Sequence, residues 1–220
     1  MLYIFAAFVF GFSVPYMARR FAKFMPATFA GALVELCRCE KKLKSYRKTN
    51  LYKKFVWRSV VSGLVTACIT SVAYNHFGAF GFGFIATYIW LLILMAEIDF
   101  RTFLLPDILT IPLLLLGVFA SCNDMGFVAI NESVLGAVVG YFLPVAVSLL
   151  IVWRKKDAFG GGDIKLMSAI GAWLGVEGLL YVVVLSSILG IVYGIFNKKT
   201  SLAFGPMIAI AGIVIAVWMF

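Results

Sequence analysis

Charge is scarce in this chain of 220 residues: 19 Lys+Arg and 10 Asp+Glu make up only 13% of it, against roughly a quarter in an ordinary water-soluble domain. That shortage excludes a soluble globule of the usual kind. Histidine is nearly absent, and the single one, His76, has no second imidazole to work with, so it is read as non-catalytic. Cysteine is also sparse. Cys37 and Cys39 form a C-x-C, while Cys68 and Cys122 fall in or at the far end of apolar runs, so four thiolates do not converge as a zinc site requires. Repeats and low-complexity tracts are missing. What the chain does have is apolar side chains, 63% of the total with a mean hydropathy of +1.03, and this excludes disorder as firmly as it excludes solubility. The remaining class is a polytopic, all-helical integral membrane protein.

A hydrocarbon core about 30 Å thick takes roughly 20 apolar helical residues. Eight windows meet or approach that length: Met1 to Met17, Ser59 to Asn75, Ala79 to Ile98, Phe103 to Ser121, Ser133 to Trp153, Ile164 to Leu174, Leu179 to Asn197, and Leu202 to Phe220. The sixth is short, and a start inside a protein-lined cavity would account for it. Phe24 to Leu36 is too short to span and reads as an interfacial segment. The first window lacks a basic leader and a small-residue cleavage site, so it reads as a retained anchor.

The net charge of +9 acquires meaning only by position. With the N-terminus outside, Arg19, Arg20 and Lys23, the basic stretch Arg38 to Arg58, Arg101, Arg154 to Lys156, Lys165, and Lys198 with Lys199 all fall on the cytoplasmic side. Those are all 19 basic residues, and agreement over separate loops supports the number of crossings. A basic stretch lying on anionic lipid explains this charge without a nucleic-acid partner. The same stretch divides the chain into an N-terminal part, 1–58, and a seven-helix body, 59–220.

Acidic residues near a bilayer are costly and point to function unless structure explains them. Asp99, Asp107 and Asp163 are placed at cytoplasmic helix ends. Two carboxylates within reach of one another share a proton, and such a pair can activate water with one member and protonate a carbonyl or amine with the other. Each residue also has a plainer reading. Asp107, after Pro106, suits a helix N-cap, Asp163 after Gly160-Gly161-Gly162 suits a capped turn, and Asp99 could pair with Arg101. Glu97 lies about 200° round the helix from Asp99 and reads as structural or interfacial. Lys165 and Arg101 read mainly as snorkelling to headgroups. Phe204-Gly205-Pro206 suits a helix start, or else a substrate-facing break at the depth of the aspartates. Spacing alone does not bring Asp99 beside Asp163.

Taken in order, the motifs Ile98-Asp99-Phe100-Arg101-Thr102, Leu105-Pro106-Asp107, Leu135-Gly136-Ala137, Gly160-Gly161-Gly162-Asp163-Ile164-Lys165, Gly171-Ala172-Trp173-Leu174-Gly175 and Phe204-Gly205-Pro206 resemble the type IV prepilin leader peptidases, GxGD-type membrane aspartic proteases. The resemblance covers roughly residues 98–210. It implies that Asp99 and Asp163 are the catalytic pair, with Gly160, Gly161, Gly162, Lys165, Asp107, Phe204, Gly205 and Pro206 in supporting or substrate-facing places. It further implies cleavage of the basic leader of type IV prepilin or pseudopilin precursors at the cytoplasmic face of a bacterial inner membrane. Many members carry two C-x-x-C pairs associated with zinc and with N-methylation by S-adenosylmethionine. This chain has C-x-C only, so no metal or cofactor is expected. A bifunctional peptidase and methyltransferase is the nearest alternative, and a non-enzymatic transporter or assembly protein the more distant one. Self-association into a homo-oligomer stays open.

Overall fold

A computed structural model describes residues 2–24, 50–152, 160–197 and 203–219. Beyond Phe24, the expected interfacial segment, the Cys37–Cys39 pair and most of the basic stretch lie outside the described residues, as does the side chain of His76. Six helices make up nearly all of what is described: α1 (Leu2–Phe24), α2 (Asn50–Thr102), α3 (Asp107–Cys122), α4 (Ile130–Val152), α5 (Gly161–Asn197) and α6 (Gly205–Trp218). There is no strand among the described residues. Pro15, Pro112 and Pro144 are carried inside helices without ending them, which packed membrane helices tolerate because neighbouring groups re-satisfy the carbonyl each proline frees.

Three helical stretches are long and apolar enough to cross a membrane, Gly83–Thr102, Ile130–Leu149 and Gly161–Phe196, and shorter apolar helices cover Val56–Ser71, Asp107–Cys122 and Gly205–Trp218. Helix α2 is not one straight rod. Arg58 and Glu97 are 39 positions apart yet their side chains meet at 2.6 Å, whereas a straight helix would separate them by ~58 Å at 1.5 Å per residue. The segment therefore doubles back, and α1 packs on both arms: Ser62 Oγ donates to the Gly11 carbonyl at 2.7 Å, and Trp90 Nε1 to the Phe10 carbonyl at 3.0 Å. Helix α5 is broken as well. Gly175 adopts φ 69° and ψ −173°, a conformation that side-chain-bearing residues seldom enter, and it divides the 37 residues into the two stretches expected on either side of Leu174.

Helices in a bilayer gain little from hydrophobic exclusion and are held by close packing and interhelical hydrogen bonds. The pair α4 and α5 shows both. Gly136 and Gly171 bring the two backbones into direct contact, and a Cβ at either would collide with the carbonyl of the other. On either side of this contact, Ser133 Oγ donates to the Ala172 carbonyl at 2.6 Å and Ser168 Oγ to the Ala137 carbonyl at 2.8 Å. The core lies between the second arm of α2, α3, α5 and α6, where Tyr88, Leu92, Leu113, Ile170, Trp173 and Ile208 are fully or almost fully buried. Trp173 stacks on Tyr88 with centroids 4.9 Å apart, and its Nε1 donates to the Leu113 carbonyl at 2.8 Å. A buried indole thus has its one donor satisfied.

Candidate functional site

Three helix ends converge at one end of this core. Asp99 stands in the last turn of α2, only 4% exposed. That turn closes with Phe103 at φ 55°, whose N–H donates to the Asp99 carbonyl at 2.8 Å, the single-bond left-handed C-cap built on a non-glycine residue. Asp163 is the third residue of α5 and half-buried. Gly205 is the first residue of α6, preceded by Phe204 at the N-cap and followed by Pro206, which needs no N–H at that position.

The Asp99 carboxylate lies against Gly205. A Cβ on Gly205 would lie 2.6 Å from Asp99 Oδ2 and 2.9 Å from Cγ, so the carboxylate occupies the volume that any side chain there would need. Asp99 Oδ2 is buried and has no hydrogen-bond partner among the described residues. Asp163 lies close enough to Asp99 for the charge of one carboxylate to act on the other. Asp99 is thus a buried carboxylate with one oxygen unengaged, and Asp163 stands near it on a separate helix end.

The glycines before Asp163 play unequal parts. Gly160 precedes the helix and receives the Asp163 N–H at 3.0 Å, while Gly162 lies against Leu105, whose Cβ is 2.8 Å from where a glycine Cβ would be. No other described residue comes within 4 Å of a Cβ built at Gly161. The helix begins at Gly161, so two of the three are helical, and Asp163 lies inside the first turn and is not its cap.

Several readings of neighbouring residues are corrected. Pro106, not Asp107, holds the N-cap position of α3, and no side chain caps that helix. Asp107 instead accepts from Lys165 Nζ at 2.6 Å, so Lys165 does not snorkel away from the protein. Arg101 does not pair with Asp99 or extend to headgroups either; it donates through Nε to Glu97 at 2.9 Å and through Nη2 to the same oxygen. Glu97 also accepts from Arg58. The i,i+4 spacing of Glu97 and Arg101 was a visible signal for the first of these bonds. Nothing local could have revealed Arg58, and Leu105 was likewise missed as the neighbour of Gly162. Cys68 and Cys122 are free and exposed, and no group of three or more His, Cys, Asp or Glu residues is placed to hold a metal ion among the described residues.

Residues 86–195, which include both aspartates, match the type IV leader peptidase family. The chain is 39% identical over 164 residues to a Xanthomonas campestris protein named prepilin leader peptidase/N-methyltransferase, covering 69% of this chain and 55% of that one. It is 33% identical over 174 residues to the protein of the same name from Escherichia coli K12, covering 74% and 75%, and 41% identical over 130 residues to that of Neisseria gonorrhoeae, covering 56% and 44%. No solved structure matches the chain. The chain belongs to the type IV leader peptidase family. It spans about half the length of the Xanthomonas and Neisseria relatives and three quarters of the Escherichia one.

Proposed function

We propose that this protein is a membrane aspartic endopeptidase that removes the basic leader from type IV prepilin or pseudopilin precursors, with Asp99 and Asp163 as its catalytic pair. The observation that carries the reading is the ordered motif series around Asp99 and Asp163, both of which lie in the stretch 86–195 that matches the family. One aspartate, ionised, takes a proton from water as the oxygen attacks the scissile carbonyl carbon; the other, protonated, gives its proton to the carbonyl oxygen. The tetrahedral intermediate then collapses: the C–N bond breaks, the proton held by the first aspartate passes to the leaving amine, and the second aspartate takes back a hydroxyl proton, which leaves a carboxylic acid product and restores the pair. No covalent enzyme intermediate forms. Asp99 lies against Gly205 at the start of α6, so the substrate-facing residues Phe204, Gly205 and Pro206 stand beside it.

The supporting topology is eight crossings with the N-terminus outside and the aspartates at the cytoplasmic face of the bacterial inner membrane. It rests on the distribution of basic residues and on the doubled-back α2 and broken α5. Basic side chains on that face would meet anionic lipid. A second reading, methylation of the new N-terminus, is favoured only by the names of the relatives. Co-expression with a candidate precursor decides: a gel reads removal of the leader, and mass spectrometry reads the mature N-terminus. Asp99→Asn and Asp163→Asn are each expected to abolish processing. Wild-type processing by either variant overturns the assignment, and a methylated product establishes the bifunctional reading.

A further inference from the structure

Asp99 occupies a precarious position for a group that must be held in place. It stands in the last turn of α2, where the intrahelical ladder runs out, and the next residues, Phe100, Phe103 and Leu104, are largely exposed. The turn ends on a non-glycine residue in the left-handed region, a costly closure. Yet the residue two positions before Asp99 is engaged more heavily than any other acid described in the chain. Glu97, 13% exposed at its side chain, accepts from Arg58 Nη2 at 2.6 Å through one oxygen and from Arg101 through the other. The Arg58 guanidinium also lies over the Phe100 ring, 5.6 Å from its centroid. Residues on both sides of Asp99 are thus grasped by one side chain from the opposite arm of the doubled-back helix.

We propose that Glu97 is a positioning residue for Asp99: bridging Arg58 and Arg101, it fixes the last turn of α2 so that the Asp99 carboxylate stays opposed to Gly205 and Asp163. This rests on the peptidase reading above. The bridge is partly shielded from solvent, its acceptor oxygens are both used, and one of its arginines belongs to the same turn while the other is anchored on a separate arm. Removing the carboxylate frees the turn without touching the Asp99 side chain.

The test measures kcat and KM for precursor cleavage by purified, detergent-solubilised full-length protein, with thermal unfolding of each variant. Glu97→Gln is expected to lower kcat by about tenfold, the scale of a sub-ångström displacement of a reacting group, with KM changed less than twofold and the unfolding midpoint within a few degrees of wild type. Arg58→Ala is expected to behave alike, and Arg58→Lys, which keeps the charge, to recover part of the loss. Wild-type kcat in Glu97→Gln overturns the inference, as does a loss confined to KM, a loss that tracks the unfolding midpoint, or Arg58→Lys no better than Arg58→Ala. Asp99→Asn is assayed alongside. Wild-type activity in that variant would bring down the peptidase reading itself, whereas its inactivity combined with an unaffected Glu97→Gln would bring down only the positioning role.

Discussion

Lys165 Nζ donates to Asp107 Oδ2 at 2.6 Å, tying the first turn of α5, which carries Asp163, to the first residue of α3. Both side chains are about half exposed, and a pair of that kind is worth ~0.2–1 kcal/mol. Asp107→Asn and Lys165→Gln should therefore each shift thermal unfolding only slightly. Since the pair tethers the turn bearing Asp163, each should slow precursor cleavage several-fold, well short of the loss in the aspartate variants. The swapped pair, Asp107→Lys with Lys165→Asp, should regain most of what either single change loses. Cleavage rates of the three variants check this.

Gly205→Ala places a methyl where the Asp99 carboxylate now lies, 2.6 Å from Oδ2. The carboxylate has to move, and a displacement near 1 Å at a reacting group costs about 100-fold in rate. Cleavage by Gly205→Ala should fall on that scale while the helix itself, starting with a better helix former, unfolds no earlier. Comparison of kcat with the unfolding midpoint separates the two effects.

Gly171 and Gly161 should respond oppositely to an added side chain. At Gly171 any Cβ collides with the Gly136 carbonyl, so Gly171→Val is expected to destabilise the protein by about 1–3 kcal/mol through overpacking. At Gly161 nothing among the described residues lies within 4 Å of an added Cβ, and Gly161→Ala should fold as well as wild type. A fall in cleavage by Gly161→Ala with unchanged unfolding would then report that the substrate uses that side.

Trp173→Phe keeps the ring in the core beside Tyr88 but removes the Nε1 donor to the Leu113 carbonyl. Interhelical hydrogen bonds within membrane proteins are worth ~0.5–1.5 kcal/mol, so the expected loss is of that order. Thermal unfolding in detergent, read by intrinsic fluorescence of the remaining tryptophans, measures it.

Much of the helical plan can be read along the chain, because an apolar run and its flanking charges are local quantities. The break of α5 at Gly175 falls between two of the apolar windows that hydropathy marks out. Side-chain partners are another matter. Lys165 and Arg101 look from sequence like snorkelling cations because an apolar helix end offers them water and headgroups, yet each finds a carboxylate closer at hand. Asp107 looks like a cap because its type and its neighbour Pro106 favour one, but the proline itself takes the N-cap position.

By itself, then, the amino-acid order determines an apolar, helical, membrane-type chain, since composition and helical length require no partner to be read, while Asp99 and Asp163 stand out only through the family that the ordered motifs resemble. Only the tertiary structure decides that α2 folds back to bring Arg58 onto Glu97, that Lys165 reaches Asp107 across 58 positions, and that Gly205 closes against Asp99. The reason is geometric. A 3.6-residue period specifies which face of a helix a side chain occupies, but which other helix meets that face depends on turns, breaks and glycine contacts that no single segment contains.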